Sequence, residues 1–188
     1  RMTRINFHQL KQQSGVSMIE ILVLVIIMSI GLLGIAGLQV AGVRQTTNSG
    51  FQTQAMILAE DLIAKIRANR TAAVPDGPGT VTEANYGKKH NVAFPTAAVA
   101  ACSTSTGCTP AQMATTDLFN WSQMVQNSMP VDATRLSNDT FICLDSDSTD
   151  NTNCDGVGST FVIQIGWNEA SSTDSSVAIQ RYQMVFEP

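Results

Sequence analysis

Four cysteines, a run of acidic and amide side chains, two histidines and one carboxylate beside an apolar run are the residues whose chemistry could matter. Cys102, Cys108, Cys143 and Cys154 all lie beyond the apolar segment, and an even number suits disulfides in an oxidising compartment. Three connectivities exist; the nearest-neighbour pairs 102–108 and 143–154 are favoured. A zinc site competes, but C-x5-C and C-x10-C are not usual ligand spacings, and His90 is the only distal histidine. Asp145, Asp147, Asp150, Asn151, Asn153 and Asp155 crowd the stretch between Cys143 and Cys154. Oxygen ligands at alternate positions could hold calcium. The helix-loop-helix calcium template nevertheless fails, because its sixth and twelfth positions are Asp150 and Gly156 rather than glycine and glutamate. A solvated acidic loop is the plainer reading, with Asp145, Asp147, Asp150 and Asp155 a weak calcium candidate.

No catalytic set stands out. The histidines are His8 and His90, so a nucleophile–histidine pair in the distal chain would rest on His90. There is no H-E-x-x-H and no glycine-rich phosphate loop. A carboxylate pair of the glycosidase kind always stays open from sequence. The reading is a building block, not an enzyme, with no cofactor.

Glu20 is the carboxylate that asks for a reason. From Ile21 to Leu38 the chain is apolar apart from Ser29 and the glycines Gly31, Gly34 and Gly37. Those eighteen residues would cover about 27 Å as a helix, close to a hydrocarbon core. A carboxylate at the edge of such a span costs on the order of 2.5–3.5 kcal/mol if drawn into it. A local reason exists: Ser17-Met18-Ile19-Glu20 is a capping box. Residues 1–15 carry Arg1, Arg4 and Lys11 and no acid, so the positive-inside rule leaves them cytoplasmic and the bulk of the chain outside. An ordinary signal peptide cut near Ile35-Ala36-Gly37 or Val40-Ala41-Gly42 is the alternative, but the apolar stretch is long for one.

Taken together, Gly15-Val16-Ser17-Met18-Ile19-Glu20 and the apolar run behind it resemble the cleavage motif of type IV prepilins and type II secretion pseudopilins. The resemblance implies cleavage between Gly15 and Val16 by a membrane peptidase and methylation of the new amino terminus at Val16. It also implies that Glu20 pairs with the charged amino terminus of a neighbouring subunit as helices stack in a fibre. Val16 and Met18 stand where many pilins have Phe and Leu, both tolerable apolar exchanges.

Beyond Leu38 the pattern becomes one-sided. Phe51, Ala55, Leu58, Ala59, Leu62, Ile63 and Ile66 recur at steps of three and four, the pattern of an amphipathic helix. With no proline from Val16 to Val74, one helix could run from Val16 to about Asn69. The expected organisation is 1–15 leader, 16–38 transmembrane segment, 39–70 amphipathic continuation and 71–188 exported domain. Pro75-Asp76-Gly77-Pro78-Gly79 marks a break, and 91–109 reads as a loop holding the first cysteine pair. Asp117–Met129 reads as a helix with Leu118, Trp121, Met124, Val125 and Ser128 on one side, ended by Pro130. Thr140–Leu144, a segment around Phe161–Trp167 with the clearest two-residue alternation, and Val177–Phe186 read as strands, with Glu169–Ser176 between the last two as a hairpin loop. The fold class is α+β, a long amino-terminal helix packed on an antiparallel carboxy-terminal sheet.

The order Asp117-x3-Trp121, Pro130, a cysteine-bounded loop and Ile163-x-Ile165-Gly166-Trp167 looks like minor pilins of the PilV kind. That resemblance covers about 15–70 and 117–168 and leaves 71–116 unmatched. It implies a low-copy subunit in a tip complex that primes fibre assembly. Implied partners are minor and major pilins, the prepilin peptidase, the assembly platform and a tip adhesin. The implied location is the inner membrane, single-pass with the carboxy-terminal domain periplasmic, and then the extracellular fibre. A type II secretion pseudopilin, or a tethered adhesin or binding module, are the other readings. Charge argues against nucleic acid: net charge is −4, and beyond Arg70 only Lys88, Lys89, Arg135 and Arg181 are basic.

Overall fold

The structure is a computed structural model that describes residues 15–73, 85–146, 160–170 and 177–188. Helix α1 spans Met18–Ala68, and α2 is one turn at Arg70–Ala73. Two longer or better-capped helices follow, α3 (Pro110–Ser128) and α4 (Ala133–Asn138), then strands β1 (Phe141–Asp145), β2 (Thr160–Ala170) and β3 (Val177–Phe186). The chain forms two compact units, Arg1–Thr46 and Thr47–Pro188. The break expected at Pro75–Gly79 lies outside the described residues.

The first unit holds the apolar part of α1. The Ser17 carbonyl accepts from the amides of Glu20 and Ile21 at 3.0 and 3.3 Å, which starts the helix. Glu20 sits in the first turn, where a negative side chain opposes the positive end of the helix dipole.

In the second unit α1 changes character. Ala55, Leu58, Ala59, Leu62, Ile63 and Ile66 are buried, as the three-and-four spacing requires, and Phe51 packs partly against them. Trp121 of α3 is fully buried, and its Nε1 donates to the Leu58 carbonyl at 2.7 Å. A buried indole N–H needs such a partner, and here it joins the two helices.

Helix α3 begins seven residues before the expected start. Thr109 accepts from the Gln112 amide at 3.3 Å, while Gln112 Oε1 accepts from the Thr109 amide at 2.9 Å, and Pro110 occupies the first helical position. That capping box with proline fixes the start. The buried stripe is Ala114, Leu118, Trp121, Ser122 and Val125. Met124 and Ser128, expected on that side, are exposed, because the stripe facing the core is narrower than the apolar count suggests.

The sheet has the order β1-β2-β3, antiparallel throughout. Register pairs Ile142 with Ile163 and Leu144 with Phe161, and Ile163 with Met184 and Ile165 with Tyr182. Those residues face the core shared with α1 and α3. The expected alternation fails along β2, since Phe161 through Trp167 are all buried. Val162 joins Phe141 and Cys143 in a second apolar cluster on the other face. Strand β1 is shifted one residue from expectation and is buried throughout; β3 matches its expected bounds. Glu169 and Ala170, expected in the hairpin loop, instead extend β2 and pair with Ala178 and Val177; the rest of that loop, 171–176, lies outside the described residues.

A short corner, Asp139-Thr140, presses onto β2. The Gly166 amide donates to Thr140 Oγ1 at 3.2 Å, and a Cβ at Gly166 would meet the Asp139 Cβ and lie 2.9 Å from its carbonyl oxygen. Glycine is required there by close approach. Cys102 and Cys108 are disulfide-bonded, as expected, with Cα atoms 4.7 Å apart. Cys143 is also disulfide-bonded, and its expected partner Cys154 lies outside the described residues.

Candidate assembly site

Gly15, Val16 and Ser17 are non-helical and exposed, directly ahead of α1. Among the described residues, nothing lies within 4 Å of the position a Gly15 Cβ would take. One helical turn after Val16 comes Glu20, also exposed. The structure thus places the three sequence-selected residues in one short stretch at the entry to the apolar helix.

Among the described residues, α1 is the helix long and apolar enough to cross a membrane, and none of its apolar window is buried within the protein. A core helix of a soluble domain would pass the same composition test, but its apolar face would be covered. Here Ile21 through Val43 expose their large apolar side chains on all sides, Leu33 and Leu38 among the most exposed. Such a surface is covered by lipid or by other helices rather than left to water.

Of the acidic candidate residues the structure describes Asp145. Asp145 is buried at the end of β1, opposite Thr160. Asp147, Asp150 and Asp155 lie outside the described residues. Among the described residues no group of His, Cys, Asp or Glu is arranged to hold a metal ion. His90 stands beside Phe141, with ring centroids 6.1 Å apart.

Sequence reasoning missed the polar ties that shape the head. Lys88 is buried, and its ammonium donates to the carbonyls of Leu136 at 3.2 Å and of Ser137 and Thr140 at 2.5 Å. It also lies 4.8 Å from the centre of the Phe94 ring. These carbonyls close the end of α4, so a cation there meets the negative end of the helix. Burial pushes the Lys88 ammonium down to about 8, against the pull of Asp139.

Asp139 accepts from Arg135 Nη1 and Arg181 Nη2, both at 2.9 Å. Burial pushes its carboxyl up, but these two guanidinium partners outweigh that and hold it below the usual carboxylate range. Asp132, which caps α4, is also held low, first by the Arg135 backbone amide and then by Asn168. Tyr86 is buried and donates to Asp117 Oδ2 at 2.6 Å; burial, then that bond, raises its phenol well above the ordinary range. Asn69, just after α1, donates to Tyr86 OH at 3.2 Å and to the Pro110 carbonyl at 2.8 Å. In sequence these residues stand within polar stretches such as Lys88-Lys89-His90 and Ser137-Asn138-Asp139-Thr140, which look like surface positions.

An exposed apolar helix continuing into a helix-on-antiparallel-sheet head is the α+β architecture of a pilin. Residues 37–119 match the family model described as Tt1218-like, type IV pilin Tt1218. The match covers fewer than half of the residues and marks a likeness to type IV pilins over that stretch. It spans 71–116, the stretch for which the sequence offered no resemblance, and stops short of Gly15–Glu20. No curated protein and no solved structure matches the chain.

Proposed function

We propose that the chain is a minor pilin of the PilV kind, incorporated into a type IV pilus in a tip complex that primes assembly. In this reading residues 1–15 are a leader, 16–38 span the inner membrane, 39–70 continue the helix and 71–188 form the periplasmic head. The peptidase cuts after Gly15, Val16 is methylated, and Glu20 pairs with the amino terminus of the neighbouring subunit.

The observation that carries the reading is the fully exposed apolar segment of α1 directly behind Gly15-Val16, in a chain whose residues 37–119 match a type IV pilin model. In this reading the charged amino terminus of a neighbouring subunit is the partner of the Glu20 carboxylate once that segment is packed among other helices. Two experiments test it. Mass and amino-terminal sequence of the protein from cells with a working pilus system should show a start at N-methylated Val16; a start near Gly37 or Gly42 would refute it. Glu20→Ala should still be cleaved but enter fibres poorly, and normal incorporation would remove the pairing role. Co-purification with pilus subunits, rather than with secretion pseudopilins, is the expected machine.

A further inference from the structure

From Asn91 to Thr116 the chain carries no charged side chain, although only Phe94 and Ala114 are buried there. A solvated surface ordinarily relies on Lys, Arg, Asp and Glu. Here hydroxyls take their place, concentrated in Ser103-Thr104-Ser105-Thr106 inside the ring closed by Cys102 and Cys108. Pro95 and Pro110 stand on either side. An exposed serine- and threonine-rich stretch with proline has the composition of O-glycosylated segments.

The hydroxyls of the ring are not equivalent. Thr104 Oγ1 donates to the Ala101 carbonyl at 2.8 Å, and Thr106 Oγ1 lies 2.8 Å from it, so both threonines are engaged within the ring. Thr109, just after the ring, is occupied as the cap of α3. Ser103 ends a 3-10 turn at Ala100–Ser103, beside Cys102, whose sulfur accepts from Thr116 Oγ1 at 3.4 Å. The Gly107 amide donates to the Thr104 carbonyl at 3.1 Å, which closes a turn with Ser105 and Thr106 at its centre. Gly107 leaves that turn with a φ of 72°, a conformation that suits glycine. Ser105 thus stands at the corner, three residues from each cysteine. It is exposed, and its hydroxyl has no hydrogen-bond partner among the described residues. Among those residues nothing lies within 4 Å of the position a Gly107 Cβ would take.

We infer that Ser105 is the acceptor of an O-linked sugar, transferred from a sugar phosphoester once the head is exported; the export rests on the reading above, and assembly into a fibre is not needed. The Ser105 oxygen forms a bond to the anomeric carbon. The bond from that carbon to the phosphate oxygen breaks, the phosphate leaves with the electron pair, and the serine proton passes to a base of the transferase. The disulfide and the turn hydrogen bonds present the acceptor in one conformation, while Thr104 and Thr106 would have to give up their mutual bond to react. A neutral sugar also suits the surroundings. A phosphoryl group would bring about two negative charges to a stretch that offers no Arg or Lys to meet them.

The experiment uses the full chain purified from the cells that make it. Intact mass, and electron-transfer fragmentation of the reduced peptide that spans Cys102 to Cys108, should show Ser105 carrying whole sugar residues. Mild periodate, which cleaves vicinal diols to aldehydes, followed by a hydrazide probe should label the wild-type chain. Ser105→Ala should lose both the added mass and the label, whereas Ser103→Ala should keep them. A bare Ser105, a sugar on another residue of the ring instead, a phosphoryl group, or a Ser105→Ala chain that keeps its label would overturn the inference. The same mass gives the first residue of the chain. A start other than Val16 counts against the pilin reading and leaves a sugar found on Ser105 standing, whereas a Val16 start with a bare Ser105 sinks the sugar assignment alone.

Discussion

Gly166→Ala is the most direct test of how the head is held together. A methyl group at this position would sit against the Asp139 Cβ and 2.9 Å from the Asp139 carbonyl oxygen, with the carbonyl carbon at 3.2 Å. The obstruction is the Asp139 Cβ and carbonyl, which a rotamer change does not move. To make room, the Asp139-Thr140 corner must lift from β2. That strains the Gly166 amide bond to Thr140 Oγ1, the Gln164 Nε2 bond to the Asp139 carbonyl at 3.0 Å, and the two guanidinium contacts to Asp139. Overpacking of this kind costs typically about 1–3 kcal/mol, and the coupled polar contacts place Gly166→Ala at the upper end, about 2–3 kcal/mol. For a chain of this size that lowers the melting temperature by roughly 4–12 °C. The assay is urea and thermal unfolding of the detergent-solubilised full chain, followed by circular dichroism. Gly50→Ala is the matched control, since nothing lies within 4 Å of its Cβ position inside α1. It should gain about 0.5–1 kcal/mol of local helix stability. A Gly166→Ala protein within about 0.5 kcal/mol of wild type would refute the reasoning, because it would mean that the corner moves freely.

Two further outcomes concern titration. Asp139 is held below its unfolded value, so the stability it contributes is present above about pH 4 and is lost as pH falls through the lower folded value. Asp139→Asn should therefore be less stable at neutral pH and show a flatter acid limb in a stability–pH profile; an unchanged acid limb would count against the Arg135 and Arg181 pairing. Lys88 has the opposite sign. Its folded value of about 8 lies below the ordinary 10.5, so the unfolded chain holds the proton longer and stability rises with pH between those values. Lys88→Met should abolish that alkaline rise. It should also destabilise the head by about 1–3 kcal/mol, by leaving the carbonyls of Leu136, Ser137 and Thr140 without their donor. Equal stability of Lys88→Met and wild type at pH 7 would show that these carbonyls find other partners.

The sequence by itself determined the features that depend on local pattern. The apolar run from Ile21 and the stripe from Ala55 to Ile66 follow from side-chain period alone, and both halves of α1 behave accordingly. The bounds of β3 and the neighbour pairing of Cys102 with Cys108 were legible for the same reason, since each depends on residues close in the chain. The α3 start is also written locally, in the capping box and proline of Thr109-Pro110-Ala111-Gln112.

Other features were decided only when distant segments met. β2 looks half-buried in sequence, yet is buried on both faces, because Phe141, Cys143 and the α4 corner cover its second side. Lys88 reads as a solvated lysine until the end of α4, about fifty residues on, brings three carbonyls around it. Gly166 reads as a weak point in a strand, and only the approach of Asp139 makes it a requirement. Period and capping are set by the chain's nearest neighbours, whereas burial of a polar group or a missing Cβ depends on what packs against it. That second kind of information exists only in the folded molecule.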